Sequence, residues 1–323
     1  MRILVTGAGG FIGSHLCEEL VDQGHNVRAL IRYNSRNSWG WLENSPLIGS
    51  MEIVTGNVRD YDSMKNCLQE VDLVFHLAAL IGIPYSYISP LAYIKTNLEG
   101  TYNICQAAVE LGIKRVIVTS TSEVYGTARY VPIDERHPLQ AQSPYAATKI
   151  AADQLALSYY RSFGLPVAVA RPFNTFGPRQ STRAIVPTII TQILSEEKTV
   201  RLGSLTPTRD LNFVSDTVKG IISVGFSEKC VGEIVNLGSG SEISIGDLIK
   251  LIQNISGIKI EIKIDPPRIR PAASEVERLL CNNKKAVALT GWKPQFTLEE
   301  GLGKTIEWFA QNTRLYKSSQ YTV

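Results

Sequence analysis

Arg2-Ile-Leu-Val-Thr6-Gly7-Ala-Gly-Gly10-Phe11-Ile12-Gly13, followed by Ser14 to Asp22 with apolar residues at helical spacing, is the stretch that decides the fold. Its first five residues form a short apolar, β-rich run and predict a buried strand. The glycines predict a tight turn leading straight into a helix. Gly7 permits the turn, Gly10 lets a pyrophosphate approach the backbone, and Gly13 lets helix and strand pack closely. Phe11 and Ile12 lie where the helix N-terminus faces the phosphates. A plain βα turn would also fit the glycines alone. Their place between a strand and a helix points to dinucleotide binding.

Working outward, the same alternation continues. Asn26 to Ile31, Met51 to Thr55, Leu73 to His76, Arg115 to Ser120 and Val167 to Ala170 read as strands, with helical stretches between them. This predicts an α/β fold: a doubly wound parallel sheet of the Rossmann type, covered on both faces, with ligands beyond the carboxyl ends of its strands. The texture changes after Asn174. We expect a dinucleotide-binding domain over 1–174 and a smaller C-terminal α/β substrate domain over 175–323, with segments near 210–240 packing back on the first.

The end of the second predicted strand departs from the NAD pattern, in which an acidic residue holds the adenosine ribose. Here Ile31-Arg32-Tyr-Asn34-Ser35 follows. Arg32 suits a 2′-phosphate and so favours NADP. If it is only a solvated loop arginine, NAD would rest on Asn34 or Ser35. Asn57 and Val58, after the third strand, fall near the adenine. Leu77, Ala78 and Ala79 make a small-residue turn where bulk would block a cofactor. His76 and Asn97 lie within apolar surroundings. His76 reads as packed core, and Asn97 as a helix polar residue, a bend or a water holder.

The chemistry gathers at Val118-Thr-Ser-Thr121-Ser122-Glu123-Val-Tyr-Gly126 and at Ser143-Pro-Tyr145 with Lys149. Tyr145 and Lys149 are four apart, so on a helix they share a face. A cation beside a phenol favours the phenolate, which makes Tyr145 a candidate base. Glu123 adds a carboxylate at a strand end.

Bulk composition excludes several classes. A net charge of +3 with 20% charged residues gives no support for nucleic-acid or membrane-surface partners. Five scattered cysteines, with no CxxC and no paired histidine, argue against a disulfide framework or a metal site. A strand entered at Arg2 leaves no room for a signal peptide, and no apolar run reaches spanning length. The expectation is a soluble cytoplasmic protein.

The glycines at 7, 10 and 13, His76-Leu-Ala-Ala79, Tyr145 with Lys149, Arg171-Pro-Phe-Asn174, Arg209-Asp210 with Val214 and Asp216, and Gly291-Trp-Lys-Pro294 together resemble the extended short-chain dehydrogenase/reductase family, in its sugar-nucleotide branch. The likeness runs nearly end to end. Within it, Thr121-Ser122-Glu123 resembles the 4,6-dehydratases. The 4-epimerases, which only move a hydride off and back at one carbon, usually have small neutral residues at the Ser122 and Glu123 positions. Ser-Glu rather than Asp-Glu is similar to the GDP-mannose 4,6-dehydratases. The run Tyr33 to Trp41, with Ser181 to Pro187 and Pro271 to Glu275, looks closest to the bacterial nucleotide-activated N-acetylglucosamine 4,6-dehydratases of legionaminic acid synthesis.

The resemblance implies a nucleotide-sugar substrate, NAD or NADP held tightly and regenerated, and catalysis by Thr121, Ser122, Glu123, Tyr145 and Lys149. It places Asn174, Arg179, Arg209 and Arg270 on the substrate side, the last two on the pyrophosphate. It also implies a homodimer through the helices beginning near Tyr93 and Tyr145. A 4-epimerase is the rival reading. A redox-sensing module without catalysis is disfavoured because tyrosine and lysine are both kept. Net oxidation of a free alcohol is disfavoured by the arginine-bearing second half.

Overall fold

The computed structural model describes residues 1–195 and 199–316. In the first half, strands β1 (Arg2–Thr6), β2 (Asn26–Arg32), β3 (Met51–Gly56), β4 (Leu73–His76), β5 (Arg115–Thr119) and β6 (Val167–Pro172) alternate with α1 (Phe11–Asp22), α2 (Tyr61–Cys67), α3 (Ile83–Ile88), α4 (Pro90–Tyr93), α5 (Gly100–Leu111) and α6 (Pro144–Phe163). The second half contributes β7 (Asn174–Phe176), β8 (Thr199–Leu202), β9 (Thr208–Arg209), β10 (Leu211–Phe213), β11 (Ile234–Leu237), β12 (Ile243–Ser244) and β13 (Glu261–Ile264). Its helices are α7 (Ile185–Ile193), α8 (Val214–Phe226), α9 (Ile245–Ser256), α10 (Lys284–Thr290) and α11 (Leu298–Gln311).

Seven strands form one sheet in the order β11-β6-β5-β4-β1-β2-β3, and every pairing is parallel. The inner strands are buried on both faces and mostly apolar because both faces are covered. One buried cluster joins Ile3, Val5 and Phe75 to α1, α8 and the helices α7, α9 and α11. The other joins Leu4, Val74 and Val116 to α2, α5 and α6. The strand order reverses between β1 and β4, which opens a crevice at their carboxyl ends. The small pairs β7–β10 and β8–β13 are parallel, and β9–β12 is antiparallel.

The rod expected from Tyr93 to Leu111 is interrupted by a π-helical segment, Ile94–Glu99, between α4 and α5. The cause is Asn97. Its side chain leaves the helix to take the N–H of Leu80 at 2.8 Å and to donate to the Leu80 carbonyl at 3.0 Å and Thr148 Oγ1 at 3.1 Å. Such bulges often mark functional positions, and this one anchors the loop after β4 to α6.

Candidate active site

The crevice at the sheet reversal is shaped for a dinucleotide. Gly7 has φ +70, a left-handed conformation, and a Cβ there would meet the backbone N of Ala78 at 3.0 Å. A Cβ on Gly13 would run into the Gly7 carbonyl, so turn and helix pack as expected. α1 begins at Phe11 with no side-chain cap, leaving its first-turn N–H groups for an anion. Thr6 Oγ1 accepts from the N–H groups of Leu77 and Ala78 at 3.1 and 3.0 Å, which fixes the small-residue turn against β1. These features fit a bound NAD(P), with its pyrophosphate over Gly10, Phe11 and Ile12. His76 is buried between Thr6 Oγ1 and Thr101 Oγ1. Burial, and then the charge of Lys149, push it down to about 3. It is a neutral packing residue.

The adenosine side needs one correction. Asn34 cannot hold a ribose with its side chain. Its carbonyl oxygen accepts from the N–H groups of Arg36 and Ser38, and its NH₂ donates to the carbonyls of Arg32 and Ser38. That fills both donors and both acceptor sites of the amide. Asn34 organises the loop, and the loop packs on the glycine turn, where Trp41 donates its N–H to the Gly9 carbonyl at 3.0 Å. Trp41 itself contacts the Trp308 and Tyr316 rings. Arg32 and Ser35 remain exposed. Val58 turns inward against Gly100, and Asn57 Oδ1 accepts from the Arg59 N–H at 3.1 Å, which leaves the Asn57 NH₂ as the side-chain group of this pair that could meet an adenine.

The catalytic candidates come together from two elements. β5 ends into a short turn of 3₁₀ helix, Ser122–Tyr125, capped by Thr121, whose hydroxyl accepts from the Glu123 N–H at 3.3 Å. α6 starts with Ser143 as N-cap and Pro144 in its first turn, a sequence-local arrangement. It carries Tyr145 and Lys149, both buried. The Tyr145 ring meets Tyr93 edge-on at 6.2 Å. Lys149 Nζ donates to the Thr119 carbonyl at 2.7 Å. Burial, the largest influence, pushes the Tyr145 phenol above its ordinary value, and the charges of Glu123 and Asp153 add to it, while a hydrogen bond with Thr121 pulls it back. So in the chain by itself the phenolate is disfavoured. A cationic ring stacked beside the phenol would supply the missing positive charge. Ser122 is buried.

The substrate-side candidates divide. Arg209 is buried and donates through Nη2 to Glu275 Oε1 at 3.1 Å, and Arg270 Nη1 approaches the same oxygen at 3.4 Å. Two guanidiniums thus converge, and Glu123 lies within electrostatic reach of Arg209. Asn174 has a buried side-chain oxygen without a partner among the described residues. Arg179 does not join them. It grips Glu18 on α1 with two bonds of 2.9 Å and reaches Ser14 Oγ at 3.1 Å, so it stiffens the cofactor helix. Arg171, near the carboxyl end of β6, is fully buried against Asp153.

Fold and site define a protein of the short-chain dehydrogenase/reductase type, with a Rossmann-like sheet shaped for an NAD(P) cofactor. Within that class the chain belongs to the GDP-mannose 4,6 dehydratase family, whose model matches residues 4–305. It is similar to the UDP-N-acetyl-alpha-D-glucosaminuronate decarboxylase of Bacillus cytotoxicus, 34% identical over 96% of this chain and 98% of the relative. It is also similar to the dTDP-glucose 4,6-dehydratase of Streptomyces antibioticus, 32% identical over 97% and 93%. The structure of UDP-glucuronic acid 4-epimerase from Bacillus cereus, in complex with UDP-glucuronic acid and NAD, superposes with a TM-score of 0.88 at 28% identity, covering 98% of this chain and 100% of the other. The family therefore spans dehydratases, decarboxylases and epimerases. Among the described residues no helix is long and apolar enough to cross a membrane.

Proposed function

We propose that the protein is a 4,6-dehydratase that converts a nucleotide-activated hexose, GDP- or UDP-N-acetylglucosamine, to its 4-keto-6-deoxy form. The observation that carries this reading is Glu123, a buried carboxylate at the carboxyl end of β5 beside Tyr145. Epimerisation at C4 has no use for a second base there, whereas dehydration needs one at C5.

The turn from Gly7 to Gly13 would hold the dinucleotide, which when bound would supply the hydride acceptor and donor for the sugar. Tyr145 takes the O4 proton, with Thr121 holding O4 in line and Lys149 stabilising the phenolate. The resulting 4-ketone acidifies the C5 hydrogen, and Glu123 removes it. Glu123 then delivers that proton to the C6 hydroxyl, which leaves as water, because Ser122 cannot act as an acid at neutral pH. The proton taken from O4 returns at C5, and the atoms balance as loss of one water. Arg32, exposed at the end of β2 with no side-chain partner among the described residues, favours NADP over NAD. Residues 1–174 then serve the cofactor and 175–323 the sugar nucleotide.

The test is product mass after incubation with GDP- and UDP-N-acetylglucosamine, GDP-mannose and dTDP-glucose, each with NAD or NADP. One member should lose a single water without net cofactor reduction. An unchanged mass with a new 4-epimer would overturn the dehydratase reading.

Arg209 and Arg270 suit the two phosphates of the nucleotide. Arg209→Met should raise KM for the sugar nucleotide about 10–100-fold, the worth of a charge-assisted hydrogen bond, with kcat nearly unchanged. If Arg209 only ties the structure to Glu275, the melting temperature will fall and KM will stay. Steady-state kinetics with a melting curve separate the two.

A further inference from the structure

Asp153 lies one helical turn beyond Lys149 on α6, so the two share a face, and it is fully buried. Its Oδ2 accepts from Ser120 Oγ at 2.7 Å and from Arg171 Nε and Nη2 at 3.0 and 2.8 Å. Its Oδ1 is buried with no hydrogen-bond partner among the described residues. Arg171 goes on to Tyr125 Oη at 2.9 Å, and Tyr125 donates to Asn236 Oδ1 at 2.7 Å. An arginine serving only to neutralise a buried carboxylate would use both oxygens as a fork. Here three donors hold one oxygen, which clamps the carboxylate one helical turn from Lys149 and leaves its other oxygen without a protein donor among the described residues.

Lys149 is where that charge matters. Among the described residues its ammonium has one hydrogen-bond acceptor, the Thr119 carbonyl. Burial pushes Lys149 below its ordinary value, and Asp153 is the influence that pushes it back. The other groups around it give no such help. His76 on β4 is neutral, Tyr145 on α6 is protonated in the chain by itself, and Arg171 on β6 is cationic and already paired with Asp153.

We propose that Asp153 is a positioning residue whose clamped carboxylate keeps Lys149 in its ammonium form at physiological pH. This rests on the reading of Lys149 as the partner of Tyr145, but the ionisation of Lys149 can be measured without any substrate. The protein is labelled with ¹³Cε-lysine, and the Cε shift is followed against pH, with the Lys149 signal assigned from Lys149→Arg.

Asp153→Asn should lower the titration midpoint by about one pH unit or more, at least tenfold in the ionisation constant. Ser120→Ala, which keeps the charge, should leave the midpoint within a few tenths. Because Asp153→Asn strands a buried guanidinium and puts folding at risk, the charge-balanced pair Asp153→Asn with Arg171→Met is the second variant, and its midpoint should fall too, by less, since a cation leaves with the carboxylate. A midpoint that does not move in a neutral variant that melts cooperatively overturns the proposal. In turnover, the neutral variants should also lose activity first on the alkaline side of the pH profile. A purely structural role would lower the whole profile without moving that limb. Should the dehydratase reading fail, the lysine titration would still decide this one.

Discussion

Tyr145→Phe should reduce turnover by about 10²–10⁴-fold, the range supplied by one positioned base, while leaving the melting temperature and sugar-nucleotide affinity close to those of the parent. The ring is retained, so the edge-on contact with Tyr93 at 6.2 Å survives. What is lost is the one oxygen that can take the O4 proton. Burial and the charge of Glu123 push the phenol up, so the parent's activity should rise with pH as the base form grows. The variant should lack that rise. The loss follows whether the reaction ends in dehydration or epimerisation, because both begin by oxidising C4. Rates measured from pH 6 to 10, with a melting curve for each protein, check it. A loss under tenfold would mean that another group takes the proton.

The parts of this site that were legible in the sequence are those made by neighbours along the chain. Gly7 to Gly13 lies between its own strand and helix, and Tyr145 and Lys149 share a helical face by spacing alone, so period and turn chemistry suffice. The parts that were not legible depend on partners brought in by the sheet. Arg179 is an open loop arginine until Glu18 meets it across 161 positions. Asn34 looks free to bind a ribose until the loop closes on its amide. Asp153 stood four residues after Lys149 in plain view, but its meaning depends on Arg171, which reaches it only because β6 lies under α6. Asn97 reads from sequence as a helix polar residue, a bend or a water holder, and nothing local names Leu80 as its partner. The convergence of Arg209 and Arg270 on Glu275 likewise waits for the fold.

Glu123→Gln should separate the two halves of the proposed reaction, with opposite effects on each. The amide keeps the shape of the side chain on the capped turn after β5, but it can neither take the C5 proton nor pass one to the C6 hydroxyl. Dehydrated product should fall by about 10²–10⁴-fold, and incorporation of solvent deuterium at C5 should vanish. Oxidation at C4 should not fall with it. The carboxylate of Glu123 is one of the charges that hold the Tyr145 phenol up, so neutralising it makes the Tyr145 base easier to form. The sugar should therefore accumulate as a 4-ketone that still carries its C6 hydroxyl, and borodeuteride quenching followed by mass spectrometry would register it. A structural role for Glu123 would depress both halves together, since a distorted turn would misplace Thr121 and Tyr145 as well. An epimerase would behave differently again. It has no C5 step to lose, so its turnover would stay within a few-fold of the parent and no ketone would build up. The three outcomes do not overlap, and only the first is compatible with a carboxylate placed at this strand end to work on C5.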